Sequence, residues 1–374
     1  KNARCWQSIN SKGYYLMQLI KSTKTLWLLV IVILMLKVLF FMYLKLFVEG
    51  VIFGGGSDAD YYHSYALGYG GDSAANFWPE ILRFLNEVGL YNRDIFSLIL
   101  FVTSFTLIPY IYYKLVKIQA NGIKPVKVGS VFLIIFYPTL FYFTVDVYRE
   151  VFMFTVLLLS LLLYKKILEV NWLRGNVYFL IFLGLAFFLF LMRPYLGAAL
   201  GLTPFIYLIF SKTKRYIKTW VIIYFVVLVL AKVSGVIDPI LLYREGDGFS
   251  GGGATLDIGL LDKNPIMFLV YYLYSLFGQL FGLFLVNVNA VLVFFLESVP
   301  FILAFIYLFK NIRFMTRFSS FLLIFFVIYT TIWALGNDNL GTAVRLRIPS
   351  YLAIFACMFI VYQEKPKLSF NKII

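Results

Sequence analysis

Long apolar segments alternate with short polar segments along almost the whole chain. Ten apolar segments are candidates for transmembrane helices, although some are shorter than a full span. They lie near residues 25–47, 95–113, 129–144, 148–164, 177–192, 195–210, 220–236, 291–309, 318–335 and 348–362. The pattern predicts an all-α fold: a polytopic transmembrane helical bundle of about ten spans, forming a single integral membrane domain over residues 1–374.

The apolar segment 265–286 is also long enough to cross a bilayer. A span there would move the basic segment KNIRFMTR to the outer side, so we interpret 265–286 as a re-entrant or interfacial helix on the outer face. Its residues Tyr271, Tyr272 and Tyr274 suit an interface, where tyrosines are common. The alternative is an eleventh span with an outer C-terminus.

Basic residues are concentrated in alternate connections between the apolar segments. Of the 374 residues, 62% are apolar and only 14% are charged, which excludes an ordinary soluble domain. Cytoplasmic loops collect Lys and Arg, so the connections KKILEVNWLR, SKTKRYIK and KNIRFMTR predict cytoplasmic N- and C-termini. This topology also accounts for the net charge of +15, and no nucleic-acid partner is predicted.

The same topology puts two long loops, 48–94 and 234–264, on the outer side. The first contains FWPEILRFLNEVGLY, in which Trp78, Ile81, Leu82, Leu85 and Val88 recur at helical spacing. We expect this helix to lie along the membrane surface. The second loop contains GDGFSGGGATLDIG, and its glycines suit a mobile lid over a ligand.

An acidic motif, GGGSDADYYHSYA, lies in the first outer loop. Its simplest interpretation is a helix start, in which Ser57 and Asp60 form a capping box. The negative charge of Asp58 would also interact favourably with the positive end of the helix dipole. A carboxylate beside a ligand cavity can also act as a general base, so Asp58 and Asp60 are candidate catalytic residues. The only histidine of the chain, His63, is a third candidate, or else a hydrogen-bonded structural residue.

Three separate outer turns contain four arginines, namely Arg149, Arg193, Arg345 and Arg347. Guanidinium groups bind phosphate oxygens bidentately, so together they predict a diphosphate site. The alternative is that they form structural ion pairs with Asp146, Glu150 and Asp338. Glu297, inside an apolar segment, is either functional or a partner of Lys232 or of a buried arginine. The candidate substrate-binding residues are Arg149, Glu150, Arg193, Tyr195, Asp338, Arg345 and Arg347.

These features resemble bacterial membrane enzymes of surface-polysaccharide synthesis, namely O-antigen polymerases and the related GT-C glycosyltransferases. The resemblance rests on Asp58 and Asp60 in the first outer loop and on the arginines at outer span ends. It implies transfer of sugar from a polyprenyl-diphosphate-linked donor to a glycan acceptor, at the periplasmic face of the inner membrane. Membrane lipids and other polysaccharide-assembly proteins are the further partners that it implies.

Two other function classes stay open at this point. One is a lipid-linked oligosaccharide flippase or another transporter, and the other is a structural membrane protein without catalysis. The chain has no phosphate-binding loop and no HExxH motif, so ATP-driven transport and zinc hydrolysis are unsupported. No cofactor is predicted, and the residues give no support for a divalent metal. No disulfide is expected between Cys5 and Cys357.

Overall fold

The computed structural model describes residues 23–48, 57–69, 71, 73–118, 124–211, 217–246 and 255–370. This part of the chain is all-helical, and its only extended pairing is an isolated antiparallel bridge between Thr255 and Asn339. In chain order the α-helices are α1 Thr23–Phe47, α2 Ser57–Ala66, α3 Phe77–Glu87, α4 Arg93–Phe105, α5 Leu107–Val116, α6 Lys124–Phe136, α7 Pro138–Tyr142, α8 Glu150–Ile167, α9 Trp172–Met192, α10 Pro194–Ser211, α11 Ile217–Val233, α12 Asp238–Glu245, α13 Pro265–Phe281, α14 Val288–Val293, α15 Val299–Lys310, α16 Arg317–Gly336 and α17 Leu340–Phe370. A π-helical turn, Phe294–Ser298, joins α14 to α15, and a 3-10 turn, Ile312–Phe314, precedes α16.

Several helices are long and apolar enough to cross a bilayer, so the predicted all-α polytopic architecture is confirmed. Six described segments meet this condition, and a seventh is added if α11 and α12, which are bent by 76° at their junction, form one broken span. The six are Lys24–Phe47, Arg93–Val116, Trp172–Met192, Val288–Lys310, Arg317–Gly336 and Leu340–Lys365. The predicted count of about ten spans is therefore only partly matched.

The remaining predicted spans fall on helices that are short, broken or charged at their ends. The segment 129–144 is divided at Pro138, because proline lacks the N–H that would continue the preceding helix. The segment 148–164 lies on α8, which begins with the carboxylate of Glu150 and ends near Lys165 and Lys166. The segment 195–210 lies on Pro194–Phe210, which is too short to count as a full span.

Contacts group the chain into two compact units, Lys1–Leu162 and Leu163–Ile374. In the first unit, α1 packs on α6 and α2 packs on α3. The amphipathic helix expected in the first outer loop forms as α3, and two residues of its apolar stripe pack against the protein, whereas Val88 is exposed. Trp78 and Leu82 are fully buried, and the Trp78 indole donates a hydrogen bond of 2.8 Å to the Val147 carbonyl. The placement of this helix along the membrane surface stays a prediction.

In the second unit, α16 forms the centre and packs on both α10 and α17. Aromatic side chains fill this core: Tyr164 stacks on Phe321 with ring centroids 3.7 Å apart, and Phe301 stacks on Tyr351 at 4.0 Å. By contrast, α9 exposes large apolar residues such as Leu180 and Phe187. Such a helix requires an apolar environment, as a lipid-facing helix does.

The segment 265–286 contains α13, which has 17 residues and is shorter than a typical span. The side chain of Asn264 caps its start by accepting a hydrogen bond from the Met267 N–H, and Gly282 ends it in the left-handed conformation, with φ 66°. Tyr272 is buried, whereas Tyr271 and Tyr274 are exposed. Its re-entrant or interfacial placement stays a prediction.

Close packing of α9 on α10 generates a stability prediction. A Cβ atom added at Gly197 would lie 2.2 Å from the Phe190 nitrogen and 2.5 Å from the Ala186 carbonyl oxygen. Backbone atoms cannot move away cheaply, so Gly197→Ala should lower the free energy of unfolding by about 1–3 kcal/mol. Thermal unfolding of the purified protein in detergent measures this change.

The matched control is Gly201→Ala, one turn further along the same helix. An added Cβ there meets no atom within 4 Å. Alanine favours a helix over glycine, so this variant should be as stable as the wild type or slightly more stable. Equal unfolding midpoints for the two variants would contradict the described packing of α9 on α10.

Candidate functional site

The polar residues that sequence analysis singled out are divided between the two units. Asp58, Asp60, His63, Arg149 and Glu150 belong to the first unit. The second unit contains Arg193, Tyr195, Asp338, Arg345 and Arg347.

Arg93 is the centre of the polar cluster in the first unit. It is the first residue of α4, which Asn92 caps by accepting hydrogen bonds from the N–H groups of the first turn. Its guanidinium binds both carboxylate oxygens of Asp146, at 2.8 and 2.6 Å, and one oxygen of Asp60 at 2.6 Å. Sequence analysis missed Arg93, and only its structural alternative gave Asp146 an arginine partner, from among the four outer arginines.

The two aspartates of α2 have different surroundings. Helix α2 begins at Ser57, where the capping motif predicted a helix start. Asp60 is exposed and bound to Arg93, whereas Asp58 is half-buried and its charge acts on Tyr148. Residues two apart on an α-helix diverge by about 200°, which accounts for the difference.

His63 lies on α2 and contacts Tyr91. Its Nδ1 atom lies 3.0 Å from the Tyr91 hydroxyl oxygen, and the two ring centroids are 5.8 Å apart. Burial, followed by the positive charge of Arg93, lowers the pKa of His63 below its ordinary value of 6.5. The ring is therefore neutral at neutral pH. Burial also raises the pKa of Tyr91 to about 12, so its hydroxyl stays protonated.

Glu150 and Arg149 lie at the start of α8. Glu150 is buried, and its Oε1 atom is 4.0 Å from the Arg149 Nε atom. This distance indicates a weak ion pair rather than a short hydrogen bond. The predicted structural alternative, in which Arg149 has a carboxylate neighbour, agrees with this geometry.

Arg244 organises a polar cluster of the second unit, although sequence analysis had not selected it. Its side chain is 1% exposed. The guanidinium donates to the carboxylate of Asp338 and to four neutral acceptors. These are the carbonyl oxygens of Ile258, Ala334 and Asn337 and the Ser275 hydroxyl. Asp338, predicted to bind substrate, is thus committed to Arg244.

The Arg244 region fixes the end of the predicted Gly-rich lid. The other Asp338 oxygen accepts from the Ile258 N–H at 3.3 Å, and the Asp338 carbonyl accepts from the Leu256 N–H at 3.0 Å. The Glu245 carboxylate accepts from Leu260 and Leu261 at 2.5 and 2.8 Å. Residues 255–261 are therefore held in place, and the glycines of 247–254 lie outside the described residues.

Arg347 lies on α17, also in the second unit. Three segments form a cradle around its side chain, and they contribute Gly282, Ser298 and Tyr351. Its guanidinium is 4% exposed. The Nη1 atom donates to the Ser298 hydroxyl at 3.2 Å and to the Tyr351 hydroxyl at 3.5 Å. Ser298 ends the π-helical turn, and π-helical turns are frequent at functional sites. Tyr351 donates its own proton to the Leu280 carbonyl at 2.6 Å.

Gly282 completes this cradle. An added Cβ there would lie 2.4 Å from the Arg347 Nη1 atom and 2.7 Å from the Ser298 Oγ atom. Glycine is required by this close approach as well as by the positive φ angle. Arg347 forms no ion pair with a carboxylate among the described residues, and its buried Nε atom has no hydrogen-bond partner there.

The other predicted residues of this unit lie at the ends of helices. Arg193 is buried and follows α9, and its guanidinium carbon lies 5.8 Å from the centre of the Tyr195 ring. Arg345 is half-buried and, being two residues before Arg347, points away from it. The suggested pairing of Glu297 with Lys232 is wrong, because Lys232 binds Asp238 at 3.3 Å and the Leu261 carbonyl at 2.6 Å.

Comparisons with protein-family models, with curated proteins and with solved structures found no match to this chain. Within the described residues, no group of three or more His, Cys, Asp or Glu side chains is arranged to hold a metal ion. Two polar clusters, one around His63 and Arg93 and the other around Arg347, indicate the chemistry that each unit could support. The first offers a neutral imidazole beside paired carboxylates, and the second offers a buried guanidinium bound to neutral groups.

Replacing Asp338 tests whether the Arg244 cluster is structural. In Asp338→Asn the Arg244 charge stays buried without a counter-charge, so the free energy of unfolding should fall by about 3–5 kcal/mol. Hydrogen exchange should also become faster at residues 255–261. Thermal unfolding and exchange monitored by mass spectrometry check the two effects.

The matched control is Glu87→Gln, which removes a carboxylate from an exposed pair with Arg83. Exposed pairs contribute little, so this variant should unfold like the wild type. A stable Asp338→Asn variant with unchanged exchange would show that Asp338 is not needed to hold residues 255–261 in place.

Proposed function

We propose that this chain is a membrane glycosyltransferase or polysaccharide polymerase. It transfers sugar from a polyprenyl-diphosphate-linked donor to a glycan acceptor on the periplasmic face of a bacterial inner membrane. The observation that carries the proposal is the buried guanidinium of Arg347, which is held only by neutral hydroxyl groups in the part of the chain that the structure describes.

A charged arginine in an apolar bundle is costly unless a partner compensates for its lost hydration. Arg93 and Arg244 have carboxylate partners, and they serve as internal references. Arg347 has instead two hydroxyl acceptors, and one of them, Tyr351, also accepts a hydrogen bond of 2.9 Å from the Ser298 hydroxyl, because its own proton is donated to the Leu280 carbonyl. An anion supplied from outside the chain would complete the coordination of Arg347, and phosphate oxygens suit a guanidinium especially well.

The chemistry of a lipid-linked donor requires such a group. When the sugar leaves its carrier, negative charge develops on the departing diphosphate. A preorganised donor aimed at that charge typically lowers the barrier by about 2.7–4 kcal/mol. Ser298, Tyr351 and Gly282 fix the Arg347 side chain before substrate binds, which is what preorganisation requires. Arg193, Tyr195 and Arg345 are proposed as further substrate contacts.

The exposed apolar helices support placement in a membrane, where a polyprenyl carrier is also located. The finer topology belongs to the proposal: about ten spans, cytoplasmic termini, and residues 265–286 re-entrant on the outer face. In this topology the Arg347 end of α17 lies on the outer side. Basic inner connections favour this orientation.

Replacing Arg347 tests the proposal. Purified protein in detergent should join labelled polyprenyl-diphosphate-linked sugars to a glycan acceptor, and Arg347→Ala should reduce this rate by about 10²–10³-fold. Arg347→Lys keeps the charge but loses the planar fork, so its rate should lie between those of the wild type and the alanine variant. Product chain length and rate are measured by gel separation of the labelled glycans.

The matched control is Arg313→Ala, an exposed arginine on the basic connection before α16. This variant should transfer sugar at the wild-type rate. Transfer by Arg347→Ala at that same rate would reject the anion role of Arg347. Movement of the lipid-linked sugar across vesicle membranes, without any transfer in detergent, would instead identify a flippase.

A further inference from the structure

Asn337, in the second unit, has a buried polar atom that lacks a hydrogen-bond partner within the described residues. It follows the end of α16 and is 2% exposed. Its Nδ2 atom donates to the Gln279 Oε1 atom at 2.5 Å and to the Asn339 carbonyl at 2.8 Å. Its Oδ1 atom is buried and accepts no hydrogen bond from this part of the chain. The donor side of this amide is therefore in use, whereas the acceptor side is not.

The contacts around Asn337 fix the orientation of its amide. Nδ2 faces two oxygens that cannot donate, and a rotated amide would place Oδ1 against both of them. Gln279 cannot rotate to compensate, because its Nε2 atom donates to the Asn337 carbonyl at 2.9 Å and to the Ser275 hydroxyl at 2.8 Å. The network therefore identifies the atom without a partner as an acceptor, so the bond that is missing must come from a donor.

Arg347, in the same unit, lacks the complementary bond. Its buried Nε atom is a donor that has no acceptor among the described residues. Buried polar groups without partners are unfavourable and rare, and they call for a specific cause such as a catalytic role or a bound water or ion. A single ligand that carries an anionic group for Arg347 and a hydroxyl group for Asn337 would satisfy both atoms.

Helix α13 brings these two residues to the same end of one helix. Gln279, in its last turn, binds the Asn337 amide, and Gly282, which ends the helix, lies against the Arg347 guanidinium. The two helix positions are three residues apart, which is a rise of about 4.5 Å along an α-helix. This offset is comparable with the size of one sugar ring, so a sugar attached to a diphosphate could reach Asn337 while the diphosphate binds Arg347.

We propose that the Asn337 Oδ1 atom accepts a hydrogen bond from a hydroxyl group of the sugar whose diphosphate binds Arg347. This inference rests on the proposed function, and it names the residue that recognises the sugar rather than its lipid carrier. A neutral amide suits this role because it accepts from a hydroxyl group without repelling the diphosphate. Both atoms are buried, so the chain around the end of α13 opens before the donor binds.

Equilibrium binding of two kinds of lipid tests the role of Asn337. The purified full-length protein in detergent is titrated with undecaprenyl diphosphate and with a panel of undecaprenyl diphosphates that each carry one hexose or N-acetylhexosamine. Native mass spectrometry gives each Kd. At least one sugar-linked carrier should bind about tenfold more tightly than the bare carrier, as expected for one added hydrogen bond. Asn337→Ala should remove this preference, whereas Arg347→Ala should weaken the binding of both kinds of carrier.

The matched control is Gln279→Met, which keeps the side-chain length but removes both hydrogen bonds to Asn337. This variant should unfold at a lower temperature than the wild type. It should still prefer the sugar-linked carrier, because the Asn337 Oδ1 atom is retained. The ratio of the two Kd values is compared between variants, since a partly unfolded sample lowers both apparent affinities equally and leaves the ratio unchanged.

The outcomes separate this inference from the proposed function. A preference that Asn337→Ala retains, or that Gln279→Met loses to the same extent, would overturn the role of Asn337 and leave that of Arg347 intact. Equal affinity of the wild type for the bare carrier and for every sugar-linked carrier would overturn it without any variant. If the wild type binds neither kind of carrier, the proposed function fails, and the role of Asn337 fails with it.

Discussion

A guanidinium group buried among apolar helices must recover the hydrogen bonds that it loses on leaving water, and this constraint shapes both units of the protein. Among the described residues, half-buried Arg93 and the fully buried Arg244 and Arg347 meet this constraint in three different ways. Arg93 is bound by two carboxylates, Arg244 by one carboxylate and four neutral oxygens, and Arg347 by hydroxyl groups of Ser298 and Tyr351. The first two arrangements are electrically compensated within the chain. Arg347 is the arrangement that an anionic ligand would compensate, which is why it carries the functional proposal.

The same constraint accounts for breaks in the helices. Helix α13 ends at Gly282 in the left-handed conformation, and this lets the backbone approach the Arg347 side chain closely. The π-helical turn before α15 brings Ser298 to the same guanidinium. Irregular backbone is tolerated inside a membrane protein where it is buried in the protein or lines a cavity. These two irregularities therefore place the Gly282 backbone and the Ser298 hydroxyl against the Arg347 side chain.

The fold was predictable from sequence as far as the length and polarity of each segment decide it. Segments such as 25–47 and 318–335 are long, apolar and uninterrupted, and both form single helices. Some segments were visibly shorter than a full span, and Pro138 marks one break in the sequence, whereas the bend between Val233 and Asp238 was not predicted. The apolar stripe of α3 was also visible, whereas its burial against the Val147 region depends on packing that a linear pattern does not contain.

The candidate sites were less predictable, because their key contacts join residues that are distant in the chain. Arg93 binds Asp60 and Asp146 across separations of 33 and 53 residues, and Arg244 binds Asp338 across 94. Sequence motifs identified one member of each pair and left the partner unknown. Asp338 was therefore predicted as a substrate contact, although its oxygens are used by Arg244 and Ile258. Residue type indicated which groups could act, and only geometry distinguished engaged groups from available ones.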